Sequence, residues 1–462
     1  MKKVLFITYF WPPSGKASLH WPLDIIRHLP KDEIEPIILT VEEETFTQKD
    51  ESLLSKVDPN WQIIKSKALE PFDLYRIFIG KKKNEKLVAS DAISLENKSL
   101  THRISIWIRM NLFVPDARVG WNFTATPKAK NFLDKNKVDT IVSIGPPHSS
   151  HLIGLKLSKQ FKIPHIPVLI DPWVDIFYYK NLKRSALTKK IDNHFEKSVL
   201  ENAQQVVFVT KSTEEDYLKK YSFLRNKTNV LYWGYNEEVF ESLPGYSMSK
   251  STDFKVIPVK TGIQKTKDNM DSHLRGNDNI ENDASEIHSD LKIEKILVHA
   301  GNMFAYQNPK NFWKQIKLEN DKGNKISIRF IGTVDKEILE YLYSIGLKEN
   351  VHLAGFLPYK EMIKEIMQAD MILVCATEPR HVPGKLFEAL RTGNPIIAFG
   401  DNNEEVKKII EDANAGMMFG YNESGVEFLI NYDQFKPNIE KAKLYNRKKI
   451  SGSFLRLLKL VD

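Results

Sequence analysis

The stretch from Ala369 to Gly400, ADMILVCATEPRHVPGKLFEALRTGNPIIAFG, decides how the rest of the chain is interpreted. It opens with an apolar run, Met371 to Val374, and closes with a second, Ile396 to Phe399, and both runs predict buried strands. Between them, a loop rich in proline and charge leads into a predicted helix that begins at Gly384 and Lys385. Free backbone N–H groups at a helix start, beside a lysine, form an anion site.

Glu388 follows the helix start by one turn, where its carboxylate can accept hydrogen bonds from the vicinal hydroxyls of a sugar. A phosphate site next to a ribose site is what a nucleotide requires. A strand, loop and helix with a single Gly-Lys pair is also a common packing turn in α/β proteins. The pattern of residues by itself therefore leaves both interpretations open.

Length and composition indicate the broad class of the protein. A chain of 462 residues suits two α/β domains, and a hydrophobic content of 42% with 27% charged residues is typical of a globular protein. The apolar start, Val4 to Phe10, is too short for a secretory signal and is followed at once by Pro12 and Pro13, so we expect a cytoplasmic protein. The single cysteine, Cys375, excludes an internal disulfide and a multi-cysteine metal site.

A net charge of +8 and a pI near 9 favour an anionic partner, which could be nucleic acid, anionic lipid or a phosphorylated substrate. The lysines are scattered and no nucleic-acid-binding module is recognisable, so we expect no nucleic acid. The segment His102 to Phe113 has a broad apolar surface flanked by arginines. It is either an ordinary packed helix or a peripheral contact with the inner face of the plasma membrane.

The first half of the chain predicts one parallel sheet, from apolar runs at Lys3–Tyr9, Glu35–Thr40, Lys137–Ile144, Ile163–Ile170, Gln205–Thr210 and Asn229–Trp233. Ligands of such sheets bind at the carboxyl ends of the strands. Gly15 and Lys16 follow the first strand, His148 follows the third, and Asp171 follows the fourth. A lone histidine is often structural, and this one also lies where substrates bind, so both interpretations stand.

The second half predicts another α/β unit, with strands at Lys295–Ala300, Ile326–Ile331 and Val351–Ala354 before the opening stretch. Gly301 and Asn302 form its first loop. We therefore predict a first domain over 1–243, a second over 294–440, and a final segment, 441–462, that forms a helix and crosses back to the first domain.

Two segments interrupt this pattern. Residues 67–101 predict an exposed insertion. Residues 244–293 lack any sustained apolar period and predict a disordered linker. Its core, FKVIPVKTGIQKTKDNMDSHLRGNDN, resembles translated palindromic repeat elements that insert into bacterial genes, so a mobile insertion explains it without any function.

Several strings together resemble bacterial GT-B glycosyltransferases of family four (group 1). The run VPGKLFEALRTGNPI resembles the donor signature of that family, and YFWPPSGK resembles the amino-terminal loop of one subfamily. The strings DPWVD, LYWGYNEEVF and GFLPYKEM also resemble family stretches, so the resemblance covers nearly the whole chain apart from the insertions. It implies two Rossmann-like doubly wound domains facing a cleft, a nucleotide-diphosphate sugar as donor, retention of anomeric configuration, and no metal or cofactor.

The resemblance also implies roles for individual residues. Glu388 would bind the donor ribose, and Gly384 and Lys385 would lie by the diphosphate and the sugar. From their position at the carboxyl ends of strands, we hypothesise in addition that His148 or Asp171 orients the acceptor. The remaining donor-binding residues would be Gly15, Lys16, Gly301, Asn302, Arg380, Gly384, Lys385 and Leu386. The family pattern has no arginine at position 380, so our own hypothesis, beside the resemblance, is that Arg380 and Lys385 together hold the diphosphate.

The sequence also departs from the family pattern. Lys16, Ile170 and Trp233 replace a usual Gly, Arg and Asn. Asn302 and Gln307 stand where many members carry Arg and Lys, and Arg380 replaces the first acid of a Glu pair. The leading hypothesis is a retaining glycosyltransferase that acts on a cell-envelope glycan or a lipid-linked acceptor. A nucleotide-sugar 2-epimerase and a non-catalytic GT-B protein that binds a sugar or a partner are the alternatives.

Overall fold

The computed structural model describes residues 1–69, 100–176, 183–243 and 294–461, which form two α/β domains. Most of the predicted insertion at 67–101 and the whole predicted linker at 244–293 lie outside the described residues. In the part of the chain that is described, no helix is long and apolar enough to cross a membrane.

The first domain is built on a seven-stranded parallel sheet with strand order β3-β2-β1-β4-β5-β6-β7. Its strands are β1 (Lys2–Ile7), β2 (Ile34–Val41), β3 (Gln62–Ser66), β4 (Thr140–Gly145), β5 (His165–Leu169), β6 (Val206–Phe208) and β7 (Thr228–Val230). Its helices are α1 (His20–Arg27), α2 (Leu100–Leu112), α3 (Asn122–Leu133), α4 (Ser149–Phe161), α5 (Ala186–Asn202) and α6 (Lys211–Lys220). The short helix α7 (Glu237–Glu241) follows β7 and packs in the core of the second domain through Phe240.

The continuous apolar sequence of β1 follows from burial on both faces of this sheet. Val4 and Phe6 point into the core beneath α1, whereas Leu5 and Ile7 point into the opposite core beneath α3 and α4. All four side chains are at most 1% exposed. Helices on both faces of a parallel sheet leave no polar side, so the strands lack the polar alternation of a half-exposed sheet.

The second domain is built on a six-stranded parallel sheet with strand order β10-β9-β8-β11-β12-β13. Its strands are β8 (Lys295–Ala300), β9 (Ile326–Ile331), β10 (Val351–Gly355), β11 (Met371–Cys375), β12 (Ile396–Phe399) and β13 (Gly416–Phe419). The helices that follow are α8 (Lys310–Asp321), α9 (Lys336–Ser344), α10 (Tyr359–Met367), α11 (Gly384–Thr392), α12 (Glu404–Asp412), α13 (Val426–Asn431), α14 (Ile439–Ala442) and α15 (Arg447–Leu460).

The last helix, α15, packs on the first domain. Phe454 lies 6.3 Å from Phe6 and 6.4 Å from Trp21, measured between ring centroids. Leu457 and Leu458 join the same apolar cluster. The chain therefore crosses between the domains twice, once between β7 and α7 and once before α15.

The predicted fold class, two doubly wound parallel-sheet domains, is confirmed. Three strands of the second domain, β8, β9 and β12, have the predicted limits. The strand that was predicted over Lys137–Ile144 begins three residues later, at Thr140, and ends at Gly145. The edge strands β3 and β13 were not predicted, because they are short and their side chains are mostly half-buried.

Candidate active site

The start of α11 offers unpaired backbone N–H groups. Pro383 precedes the helix in an extended conformation, with φ −61° and ψ 129°. The backbone N–H groups of Gly384 and Lys385 donate to no residue that the structure describes, whereas that of Leu386 donates to the Pro383 carbonyl at 2.9 Å. Two free amides at a helix start provide the partial positive charge that an anion requires.

Lys385 lies directly over the first loop of the second domain. Gly301 follows β8 with φ +127°, and a Cβ placed on it would lie 1.7 Å from Lys385 Nζ. Burial lowers the pKa of the Lys385 amine, and Glu388 opposes that effect. Burial, followed by the charge of Lys385, also lowers the pKa of His299 to about 4. The structure therefore brings together Gly301, Gly384 and Lys385, and an anion bound there would stabilise the charged lysine.

Glu388 lies one turn further along α11, with 5% of its surface exposed. Its Oε1 accepts a hydrogen bond of 2.7 Å from the Tyr359 hydroxyl. Burial raises the pKa of Glu388, while Arg447, Tyr359 and Lys385 act in the opposite direction. Since a carboxylate has about four acceptor positions, the remaining ones can serve a ligand hydroxyl.

Leu386, a predicted donor-binding residue, has a packing role in the structure. Its side chain is fully buried in the core of the second domain, and its amide is paired with Pro383. Its contacts are thus with the protein itself, and its donor-binding role stays a prediction.

The uncharged side chains of Asn302 and Gln307 form hydrogen bonds that stabilise the loop after β8. Asn302 Oδ1 accepts a hydrogen bond of 2.6 Å from the Thr333 hydroxyl. Gln307 is 4% exposed, accepts from the backbone N–H of Phe304 at 3.0 Å, and donates to the Cys375 carbonyl at 3.3 Å. Both side chains therefore stabilise the loop that presents Gly301.

Arg380 lies at the boundary between the domains. Its Nε is 3.0 Å from Asp216 Oδ2 on α6 of the first domain. Among the described residues it makes no direct contact with Lys385 or Glu388. The structure thus places this predicted diphosphate ligand in an interdomain ion pair.

His148 and Asp171 end two adjacent strands of the first sheet, β4 and β5. The ring of His148 stacks on Trp173 with 5.1 Å between centroids and an interplanar angle of 8°. Burial lowers the pKa of His148 to about 3, so its ring is neutral near pH 7. Burial, followed by repulsion from Glu378, raises the pKa of Asp171 to about 6. Because Glu378 belongs to the second domain, the charge that acts on this carboxyl group comes from both sides of the cleft.

Gly15 and Lys16 lie in a loop that forms backbone hydrogen bonds with another segment of the first domain. The backbone N–H of Gly15 donates to the Gln48 carbonyl at 2.9 Å, and Pro13 accepts from Asp50 at 2.7 Å. A Cβ on Gly15 would lie 3.0 Å from Gln48 Cγ, so the glycine permits this close approach. Lys16 is exposed. Neither residue contacts the Gly301 and Lys385 pair within the described structure.

Two glycosyltransferase family models match the chain, one in each domain. Residues 88–239 match the model described as Glycosyltransferase Family 4, and residues 294–430 match that described as Glycosyl transferases group 1. These matches support a group 1 glycosyltransferase. None of the curated proteins matches the sequence.

Solved structures show the same two-domain fold at low sequence identity. Sucrose-phosphate synthase from Thermosynechococcus elongatus is 13% identical with a TM-score of 0.58, and the alignment covers 100% of this chain and 99% of that one. Anabaena HepE in complex with UDP is 12% identical with a TM-score of 0.59 and coverage of 99% and 100%. A glycosyltransferase from Rickettsia africae is 12% identical with a TM-score of 0.57 and coverage of 100% and 98%. These likenesses establish a GT-B glycosyltransferase fold.

Glu405 of α12 joins the two domains, a role that was not predicted from sequence. Its carboxylate accepts from the backbone N–H groups of Lys211 and Ser212, at 2.7 and 2.8 Å. These amides begin α6 of the first domain, so a side chain of one domain caps a helix of the other. The residues around Glu405 in the sequence are typical of an exposed helix, and they do not indicate that its partners lie almost two hundred positions away.

Asp116, in the string VPDARVGW, is a second residue that the sequence alone did not explain. It accepts from the backbone N–H of Ser149 at 2.8 Å and from the Ser149 hydroxyl at 3.0 Å. Ser149 begins α4, directly after His148. In the same string, the Arg118 guanidinium lies 5.3 Å above the ring of Tyr9, in the loop after β1. The string therefore connects the loops that follow β1 and β4.

Among the described residues, no group of three or more His, Cys, Asp or Glu side chains is arranged to hold a metal ion.

Proposed function

We propose that this glycosyltransferase moves a sugar, with retention of configuration, from a nucleotide-diphosphate sugar to a cell-envelope glycan or a lipid-linked acceptor. The observation that carries the proposal is the position of Lys385 Nζ over Gly301, beside the two free amides that begin α11. This arrangement suits a dianionic diphosphate, which must approach a backbone closely and needs several donors at once.

Each donor-side residue has a defined part in this reaction. Negative charge develops on the diphosphate as the bond to the sugar breaks, and Lys385 with the amides of Gly384 and Lys385 stabilises that charge. Gly301 leaves room for the phosphates because it has no side chain. Glu388 accepts hydrogen bonds from the ribose hydroxyls. Because HepE is seen with UDP, a uridine nucleotide sugar is the first donor to test.

The acceptor binds on the opposite side of the cleft, near His148 and Asp171. Asp171 accepts a hydrogen bond from the acceptor hydroxyl and orients it toward the sugar. The neutral imidazole of His148, held against Trp173, provides a second hydrogen-bonding group. The two domains close over the reacting groups and exclude water, which would otherwise hydrolyse the donor.

We place the protein in the cytoplasm, with peripheral contact to the inner face of the plasma membrane through α2. Ile104, Trp107 and Leu112 are 44%, 50% and 63% exposed on this helix. Exposed apolar side chains on a basic protein suit an anionic lipid surface. A flotation assay with and without anionic lipid, comparing the natural protein with Trp107→Ser, tests this contact.

The proposed reaction is tested by nucleotide release from a panel of nucleotide sugars, with and without cell-envelope acceptors. Release that depends on acceptor supports transfer, and Lys385→Ala should reduce it at least about 100-fold because a charge-stabilising donor is lost. Glu388→Ala should weaken donor binding about tenfold or more. Unchanged affinity in Glu388→Ala contradicts the assignment of this residue.

A non-catalytic sugar-binding protein is the second candidate. The observations that favour it are the ion pair of Arg380 with Asp216 and the internal hydrogen bonds of Asn302 and Gln307, which commit these side chains to other partners. Nucleotide-sugar binding without turnover in the same assay would favour this candidate. Interconversion of free nucleotide sugars would instead indicate a 2-epimerase.

A further inference from the structure

The first helix of the first domain contacts the second domain through His20. The ring of His20 stacks on Tyr359, with 5.9 Å between centroids and an interplanar angle of 22°. Burial lowers the pKa of His20 to about 4, so both rings are uncharged near pH 7. The Tyr359 hydroxyl in turn donates to Glu388 Oε1 at 2.7 Å. A continuous series of contacts therefore runs from α1 to the carboxylate of Glu388.

A second series of contacts starts one turn later on α1, at Asp24. Its carboxylate pairs with Arg447 at 2.8 Å, and Arg447 Nε donates to the Trp233 carbonyl at 3.1 Å. The same guanidinium lies 5.6 Å from the centroid of the Trp233 ring. Trp233 packs so closely on α11 that a Cβ on Gly384 would lie 2.6 Å from Trp233 Cδ1.

The two series of contacts begin at two residues of α1 and end at two residues of α11, and the spacing is the same on both helices. His20 and Asp24 are four residues apart on α1, and Gly384 and Glu388 are four residues apart on α11. Residues at this spacing share one helix face. One face of α1 is thus linked at two points to one face of the helix that begins the proposed donor site.

We propose that Tyr359 is a positioning residue, which holds Glu388 in place for the donor ribose, and that His20 transmits the position of α1 to it. This inference rests on the proposed function and deepens it. The segment that precedes His20, Trp11 to Leu19, belongs to the first domain, which also carries the proposed acceptor residues His148 and Asp171. The contact therefore links the acceptor side to the ribose-binding carboxylate.

The environment of the Tyr359–Glu388 hydrogen bond supports this role. Burial, followed by the charge of Glu388, raises the pKa of Tyr359 well above its ordinary value, so the phenol stays protonated and donates. Among the described residues, Tyr359 is the hydrogen-bond donor to Glu388. Without it, a nearly buried carboxylate would lose its donor and turn within the site, because an unsatisfied buried acceptor is costly.

The experiment compares binding of a ribonucleoside diphosphate and its 2′-deoxy analogue by calorimetry, starting with UDP and 2′-deoxy-UDP and including the GDP and ADP pairs. The wild-type protein should prefer the ribo form about tenfold, because Glu388 loses a hydroxyl partner in the deoxy form. In Tyr359→Phe, which keeps the ring and its stack on His20, this preference should fall to about twofold or less, with affinity for the deoxy form nearly unchanged.

Variants of His20 and a matched tyrosine complete the design. His20→Ala should also reduce the preference, His20→Phe should retain it because the stack remains, and the double variant His20→Ala/Tyr359→Phe should lose no more than Tyr359→Phe alone. Tyr341→Phe removes a hydroxyl that donates to the Lys310 carbonyl at 3.2 Å in the same domain, and should leave the preference unchanged.

Two results overturn the inference in distinguishable ways. A Tyr359→Phe protein that weakens both ligands equally, or keeps the tenfold preference, rejects the positioning role and leaves the proposed function standing. A wild-type protein that binds none of the nucleoside diphosphates rejects both the positioning role and the donor assignment. If Tyr359→Phe fails to fold, His20→Ala provides the test. An unchanged preference of this variant for the ribo form rejects the role of His20 in transmitting the position of α1 to Tyr359.

Discussion

The carboxylate of Glu405 in the second domain caps the helix that begins near Ser212 in the first, with 2.8 Å between Glu405 Oε2 and the Ser212 nitrogen. The Lys211 nitrogen lies 2.7 Å from Glu405 Oε1. Asp216, on the same helix of the first domain, forms an ion pair with Arg380 of the second domain. These charge-assisted contacts connect the two sides of the cleft.

Replacing Glu405 by Ala should therefore favour an open arrangement of the domains. The substitution removes the acceptor of the Lys211 and Ser212 amides and of the Ser212 hydroxyl. Because each hydrogen bond to a charged group is worth about 1.5–3 kcal/mol, nucleotide affinity should fall about tenfold or more. Small-angle scattering should show a larger radius of gyration in the absence of nucleotide. Glu404→Ala changes an exposed residue at the same end of α12 and is the matched control. Equal behaviour of the two variants would contradict an interdomain role for Glu405.

Gly301→Ala should disrupt the donor site while leaving the fold intact. The residue has φ +127°, which side-chain-bearing residues rarely adopt, and the new methyl group would displace Lys385 Nζ. Affinity for a nucleoside diphosphate should fall about tenfold or more by calorimetry. Gly452→Ala is the control, because a Cβ there meets nothing within 4 Å and alanine favours the helix by about 1 kcal/mol. An unaffected affinity in Gly301→Ala would argue against a diphosphate at this loop.

The sequence was sufficient to predict two parallel sheets without their edge strands β3 and β13, and to assign Gly301 and Lys385 to one side of the cleft. Buried parallel strands have continuous apolar runs, and the loops at their carboxyl ends meet at one edge of the sheet. Local patterns did not reveal the partners of Arg380 and Glu405, because these are set by how one domain rests on the other. Tyr359 was also missed, since its hydroxyl meets Glu388 only after α10 and α11 pack together.

Asp171→Asn should stabilise the protein at neutral pH and not at acidic pH. Burial and Glu378 raise the pKa of Asp171 to about 6 from 3.8, so its carboxylate is less favourable in the folded state than in the unfolded state. The stability that this group contributes is present below pH 3.8 and is lost as the pH rises through about 6. Thermal unfolding should therefore show a higher Tm for the variant at pH 7.5 and nearly equal values at pH 4. Asp175→Asn, which breaks an exposed ion pair with Lys220, should show no gain at pH 7.5. An equal Tm gain at both pH values would show that the charge of Asp171 is not the cause.

Asp116→Asn should impair the acceptor side without affecting the donor side. Asp116 accepts from the backbone N–H and the hydroxyl of Ser149, and an asparagine would turn one acceptor into a donor facing these groups. Because the site is buried, we expect a loss of about 1–3 kcal/mol in unfolding free energy. We also expect a rise in the acceptor KM, with nucleoside-diphosphate affinity unchanged, since Ser149 directly follows His148.

Asp50→Asn is the matched control for this change, because Asp50 accepts the same two kinds of hydrogen bond from Ser52 on the exposed surface. Water can replace those bonds, so the loss there should stay below about 1 kcal/mol. Denaturant unfolding and donor calorimetry on both variants provide the comparison. If Asp116→Asn reduced nucleotide affinity as strongly as it raised the acceptor KM, the Asp116–Ser149 contact would have to serve the whole cleft, and the division between an acceptor side at His148 and a donor side at Lys385 would be wrong.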